Sequence, residues 1–357
     1  MAGRKRYLTG RRLRRPEDRI GKEVLHMPEV NQTDWKKDAF YFGEEDFAEK
    51  MQTLALPKLR SVVRKVTFTS FDGTRLAGYY CLHERAKGTI VMLHGFCEFF
   101  AKYHEMMYYF YQAGYSVFFL ELRGHGHSQH LLLDREKVHV ASFDDYERDV
   151  QWFLEKVVMK KQNSPKRILY CHSMGGCVGA LFLERHPGYF DRAIFSSPML
   201  ALNWNGIPRI AVMALAVFSK LLRKERHYLP GQHGFDDVPT FSHSSILSKA
   251  RYHYMFDGRR HDAANRTYGG TYAWAAGSMR GMDQAQMFAS RIHIPVLLCT
   301  AGLDTMVDNR GHNRFARHCR TVKRLYFPGS KHEIFNAKDE ERIRYYKSLF
   351  AFMENRL

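Results

Sequence analysis

The chain has 357 residues, 45% hydrophobic and 26% charged, enough for one large α/β domain with an insertion and too apolar for wholesale disorder. No apolar run approaches the ~18–20 residues of a membrane-spanning helix; the longest, Ile210 to Phe218, has nine. The basic N-terminus lacks an apolar segment, and the six cysteines (Cys81, Cys97, Cys171, Cys177, Cys299, Cys319) form no CxxC pair, which argues against a secretory signal, a disulfide scaffold or a zinc ribbon and leads us to expect a reduced, cytoplasmic protein.

Residues 1–22 hold nine basic and two acidic side chains of a chain whose net charge is +18. They carry no periodic pattern and are expected to form a flexible arm. Such a field attracts polyanions, either nucleic acid or a bilayer rich in anionic lipid, while a solvated tail would carry the same charge. Residues 23–61, with Trp35, Phe40, Tyr41, Phe42 and Phe47, read as one or two short elements packing onto a larger body.

A regular alternation then begins. Val62 to Thr69 reads as a strand, Phe71-Asp72-Gly73 as a turn and Arg75 to Cys81 as the returning strand. The apolar run from Gly88 to Gly95 suits a strand buried on both faces. A helix from Lys102 to Ala113, a strand from Ser116 to Leu120, a helix around Phe143 to Lys160 and a strand from Arg167 to Cys171 follow. A helix from Met174 and a strand from Arg192 to Ser196 continue the rhythm, which predicts a mostly parallel sheet flanked by helices. Between 201 and 290 the rhythm breaks into a helix-like run, Ile210 to Leu222, a basic tail (Lys220, Arg223, Lys224, Arg226) and loop-rich material. It resumes with a strand from Pro295 to Thr300, a helix near Asn309 to His318, a strand from Lys323 to Phe327 and a helix from Asp339 to about Arg356. The expected organisation is a basic arm (1–22), an N-terminal extension (23–61), a core (62–200 and 291–357) and an inserted cap (201–290).

The strongest chemical signal is Tyr170-Cys171-His172-Ser173-Met174-Gly175-Gly176. A buried strand runs into a sharp turn at Ser173, and a helix rich in small residues leaves it, the layout of a nucleophile elbow. The pattern G-x-S-x-G is broken, since Cys171 stands at the first glycine; cysteine is small and the turn should survive. A serine nucleophile needs a base, and the base an orienting acid. In this layout acid and histidine follow the serine in chain order, on loops at the carboxyl ends of later strands. Asp304 and His332 fit those positions. Asp308 is the rival acid, and Asp304 is preferred because it lies nearer the strand end. The backbone N–H of Met174 and that of Phe96, in the loop His94-Gly95-Phe96-Cys97-Glu98, are the expected oxyanion donors, with His94 shaping that loop. Arg123-Gly124-His125-Gly126-His127-Ser128 lacks the ending of a phosphate loop and opens no helix, so a nucleotide site is set aside. No metal or cofactor site is expected, since His125 and His127 have no suitably spaced further ligand.

These residues resemble the α/β-hydrolases of the monoglyceride lipase and bacterial lysophospholipase group, which are serine aminopeptidase-like. The resemblance rests on HGFCEFFAKY (His94 to Tyr103), LRGHGHS (Leu122 to Ser128), CHSMGG, SSPM (Ser196 to Met199), GLDTMVDNRGHNRF (Gly302 to Phe315) and SKHEIFNAKDEER near the end. GGTYAW (Gly269 to Trp274) and VDNRGHNRF are most similar to the membrane-associated lysophospholipases. The resemblance spans about residues 35 to 355, weakest in the cap. It implies an α/β-hydrolase fold, Ser173 as nucleophile, His332 as base and Asp304 as its partner. It also implies hydrolysis of lipid-like acyl esters such as lysophospholipids or monoacylglycerols. A general carboxylesterase or aminopeptidase-like hydrolase would share the triad, and an inactive scaffold binding membrane or nucleic acid through its arm is the reading from another class. A peripheral contact with an anionic membrane is expected ahead of nucleic acid; acyl length, head group and oligomeric state are not set by the sequence.

Overall fold

The computed structural model of the protein describes residues 34–204 and 206–357; the basic arm read at 1–22 lies outside the described residues. The N-terminal helical turns α1 (Phe47–Lys50) and α2 (Leu56–Val62) lead into a hairpin of β1 (Arg64–Thr69) and β2 (Arg75–Cys81). The alternation continues through β3 (Thr89–Leu93), α3 (His104–Gln112), β4 (Ser116–Glu121) and the two-residue β5 (Lys137–Val138). Helices α4 (Phe143–Phe153) and α5 (Met159–Lys161) precede β6 (Arg167–His172), α6 (Met174–Arg185) and β7 (Arg192–Ser196). Next come α7 (Arg209–Leu221), α8 (Lys249–His261), the short β8 (Gly269–Gly270) and α9 (Tyr272–Met287). The chain closes with β9 (Val296–Ala301), α10 (Asn309–His318), β10 (Val322–Phe327) and α11 (Asp339–Met353).

Eight strands form one sheet in the order β1-β2-β4-β3-β6-β7-β9-β10. β2 pairs antiparallel with β1 and β4, and every other neighbour is parallel. The continuous apolar runs are explained by burial on both sides. Along β3, Val91 and Leu93 join one core cluster while Ile90 and Met92 join the other. Along β9, Val296 and Leu298 alternate with Leu297 and Cys299 in the same way, as the two-residue period of a strand requires. The first cluster draws on α4, α6, α9 and α10, with Val212 from α7, and the second on α3, α11 and the aromatic N-terminal segment. In that segment Trp35 stacks on Phe350 at 5.4 Å and Tyr41 on Tyr346 at 5.9 Å, so residues read as a packing extension close the α11 side of the sheet.

The stretch read as loop-rich after residue 226 contains two substantial helices, α8 and α9. α9 packs on α4, α6 and α10, where the parallel pair β7–β9 needs a covering crossover helix. Its glycines have a packing reason, because a Cβ at Gly281 would sit 3.0 Å from the Phe143 ring. β5 and β8 form a separate two-stranded parallel ladder. Among the described residues no helix is long and apolar enough to cross a membrane.

Candidate active site

β6 ends at His172, and Ser173 turns the chain into α6 with φ 49° and ψ −117°. A non-glycine residue there is strained, and such strain is held only where surrounding packing over-determines it. The packing is unusually close. A Cβ at Gly175 would lie 2.5 Å from the Leu93 carbonyl oxygen and 2.7 Å from that of His94; one at Gly176 would lie 2.4 Å from Pro198 Cβ. One at Gly179 would meet Cys171 Sγ at 2.4 Å. Cysteine at the first position of the elbow is therefore accommodated by a glycine eight residues on. Backbone bonds from Ser173 N–H to Ser196 O (3.1 Å) and from Met199 N–H to Ser173 O (2.8 Å) pin the turn to the end of β7.

The loops after β9 and β10 bring the other two groups in. His332 Nε2 lies 2.8 Å from Ser173 Oγ, and His332 Nδ1 lies 2.7 Å from Asp304 Oδ2. A carboxylate at Nδ1 assigns that nitrogen the proton and leaves Nε2 to accept from the serine hydroxyl. The carboxylate is itself oriented, because Asp304 Oδ1 accepts the Met306 N–H (2.8 Å) and the Val307 N–H (3.1 Å). Burial raises the Asp304 pKa, but the His332 charge and hydrogen bond outweigh it and hold the carboxyl below its ordinary value. Burial depresses the His332 pKa, but the carboxylate of Asp304, aided by Glu333 and Glu98, raises it above 6.5. Asp308 does not reach the imidazole. It caps α10, accepting the Arg310 N–H at 2.9 Å and pairing with the Arg310 guanidinium.

Phe96 and Met174 flank this relay. The Phe96 N–H has no hydrogen-bond partner among the described residues, and Met174 heads α6, where first-turn amides have no acceptor within the helix. A Cβ at Gly95 would lie 3.0 Å from Ser173 Cβ, so the loop carrying Phe96 is pressed against the serine. His94 shapes that loop: its Nε2 accepts the Leu122 N–H (3.0 Å) and its Nδ1–H donates to Gly95 O (2.7 Å). His125 packs edge-on against the His94 ring, and Arg123 is tied to Asp149 and Asp72, so the segment Arg123 to Ser128 is a buried structural loop. Among the described residues no group of His, Cys, Asp and Glu is arranged to hold a metal ion.

The sequence reading gave no place at the site to several residues that line it. Trp274 of α9 lies over Phe96 (ring centroids 4.3 Å) and points its Nε1–H at Met174 Sδ (3.4 Å). Arg259 of α8 donates to Cys97 O at 2.7 Å. Beneath the histidine, Glu98, Lys102 and Glu333 form a buried chain of ion pairs, and the His172 ring packs against that of His332 with centroids 4.9 Å apart and planes tilted by 51°. Burial pushes the His172 pKa down to about 4, which keeps it neutral. The HGFCEFFAKY and SKHE motifs displayed Glu98, Lys102 and Glu333; that they meet was visible only in three dimensions.

The chain is similar to several known proteins. A family model described as serine aminopeptidase, S33, matches residues 84–339. Lysophospholipase L2 of Escherichia coli (strain K12) is 31% identical over 270 residues, covering 73% of this chain and 77% of that protein. Monoacylglycerol lipase of Mycolicibacterium smegmatis is 23% identical over 260 residues, 72% of this chain and 85% of that protein. Among solved structures, a soluble variant of monoglyceride lipase from Saccharomyces cerevisiae superimposes with a TM-score of 0.64 at 19% identity, covering 83% of this chain and 97% of that one. At that identity the likeness establishes the α/β-hydrolase fold.

Proposed function

The chain belongs to the serine aminopeptidase, S33, family, and from that premise we propose that it is a serine hydrolase cleaving acyl esters of lysophospholipids or monoacylglycerols through a covalent acyl-enzyme. The observation that carries this reading is the unbroken relay Ser173 Oγ–His332 Nε2 (2.8 Å) and His332 Nδ1–Asp304 Oδ2 (2.7 Å) on a strained turn. His332 takes the proton of Ser173 as the oxygen attacks the acyl carbonyl. The oxyanion is received by the Phe96 and Met174 amides, worth about 3–4 kcal/mol per donor in comparable sites. Collapse of the tetrahedral adduct breaks the ester bond, and His332 returns the proton to the departing glycerol or glycerophospho oxygen. A water molecule, deprotonated by His332, then attacks the acyl-serine; the proton passes back to Ser173 and the fatty acid leaves.

The substrate class is supported by the relatives, which include a lysophospholipase and a monoacylglycerol lipase. A lipid surface is supported by α7, whose buried residues are only Val212, Ala216 and Ser219. Its larger apolar side chains face outward, with Ile210 78%, Val217 70%, Phe218 57% and Leu221 77% exposed. Lys220, Arg223, Lys224 and Arg226 are exposed beside them. An apolar helix face bordered by cations fits the headgroup region of an anionic bilayer, so we assign α7 to a cap that docks there.

Turnover of lysophosphatidylcholine, a monoacylglycerol, p-nitrophenyl esters of increasing chain length and an aminoacyl amide tests the reading. Long-chain glycerol esters should be cleaved best, and Ser173→Ala should abolish cleavage with the melting temperature retained. Preferential cleavage of the amide, or activity surviving in Ser173→Ala, would overturn it.

A further inference from the structure

The loop that carries Phe96 and the loop that carries His332 leave different strands, yet one side chain joins them. Lys102 Nζ lies 2.6 Å from Glu98 Oε1 and 2.7 Å from Glu333 Oε1, with all three side chains only 5% exposed. Glu98 accepts the Gly95 N–H and the Tyr103 O–H through its other oxygen, so its carboxylate fixes the backbone immediately before Phe96. Glu333 follows His332 directly and is held by Ser245 Oγ (2.6 Å) and Asn336 Nδ2 (2.8 Å). Burial opposes ionisation of all three groups, but their mutual attraction prevails, keeping both carboxyls below their ordinary values and the ammonium above its own. A buried lysine is retained in charged form only where such partners surround it.

We propose that Lys102 is a positioning residue: seated between Glu98 and Glu333, it locks the oxyanion loop to the histidine loop and so fixes the Phe96 amide and the His332 imidazole relative to Ser173. The proposal rests on the assignment of these groups in the preceding subsection. The ionised cluster carries one excess negative charge behind His332, where it favours the imidazolium formed during proton transfer. The other titratable groups facing His332 are Asp304, the neutral His172 and His312, the last with a pKa lowered to about 4 by burial.

Lys102→Met and Glu333→Gln test this, assayed with a soluble p-nitrophenyl ester beside wild type and Ser173→Ala, with melting curves for each. Lys102→Met should lower kcat by about 100-fold, the scale of a 1 Å misplacement at a reacting centre, while leaving KM nearly unchanged. Glu333→Gln removes a negative charge near His332 and should move the acid limb of kcat/KM to lower pH, a change that a purely structural role would not produce. Wild-type kcat in Lys102→Met, a rise in KM alone, or an unmoved acid limb in Glu333→Gln would overturn the proposal. If Lys102→Met does not fold, the Glu333→Gln limb decides. Turnover persisting in Ser173→Ala would instead condemn the assignment of the nucleophile.

Discussion

At the scale of single residues, the direction of the His332 shift sets a pH dependence. The imidazole must be neutral to accept the serine proton, and the Asp304 carboxylate holds a proton on it beyond the ordinary imidazole range. Activity should therefore rise with pH through a midpoint above 6.5 and be lost below it. Asp304→Asn should cost on the order of 10⁴-fold in kcat, as wrong-tautomer variants of such relays do, and shift any residual acid limb downward. Asp308→Ala should cost about 1 kcal/mol of stability as a lost helix cap, with turnover retained. A kcat–pH profile and a melting curve for each variant distinguish the two acids; a collapse of activity in Asp308→Ala alone would reverse the assignment. The proximity of Asp304 to the end of β9 was legible in sequence, and Asp304 is the acid that lies against His332. The burial of Lys102 and Glu98 was not legible, because an acid and a base four residues apart ordinarily read as a solvated pair; here tertiary packing buries them both.

At the scale of elements, the elbow shows how a departure from a motif is absorbed. Cys171 Sγ occupies the space that a Cβ at position 179 would need. Gly179→Ala should lose about 1–3 kcal/mol to overpacking, and adding Cys171→Ala, which deletes the clashing sulfur, should recover most of it. Urea unfolding of both single variants and the double measures the coupling; simple additivity would show that this contact does not govern the turn. The strands around the elbow were legible because each is buried on both faces and reads as an unbroken apolar run between turn residues. α8 and α9 were not. α8 buries Arg251 and Arg259, so its inward face is not apolar and the 3.6-residue signal is blurred. α9 carries Gly277 and Gly281, which lower helix propensity but admit Phe143 from α4.

At the scale of the whole molecule, charge and apolar exposure fall together on α7. An apolar run such as Ile210 to Phe218 suits a face buried against the core as well as one turned outward, and here most of its large side chains are exposed, a difference that composition alone does not reveal. Replacing Ile210, Val217, Phe218 and Leu221 together by Ser should weaken binding to phosphatidylglycerol vesicles. It should also slow hydrolysis of lysophospholipid presented on them, leaving turnover of a soluble short-chain ester intact. Salt should weaken the same binding, since exposed charges are screened. Co-sedimentation unchanged by the quadruple substitution, or abolished only by deletion of residues 1–22, would shift the membrane role away from this helix.

The most direct test of the account is the position of a covalent adduct. Incubation with a fluorophosphonate followed by peptide mass spectrometry should place the added mass on Ser173, with modification strongly slowed in His332→Ala. An adduct on a different residue, or equal labelling rates with and without the imidazole, would contradict it.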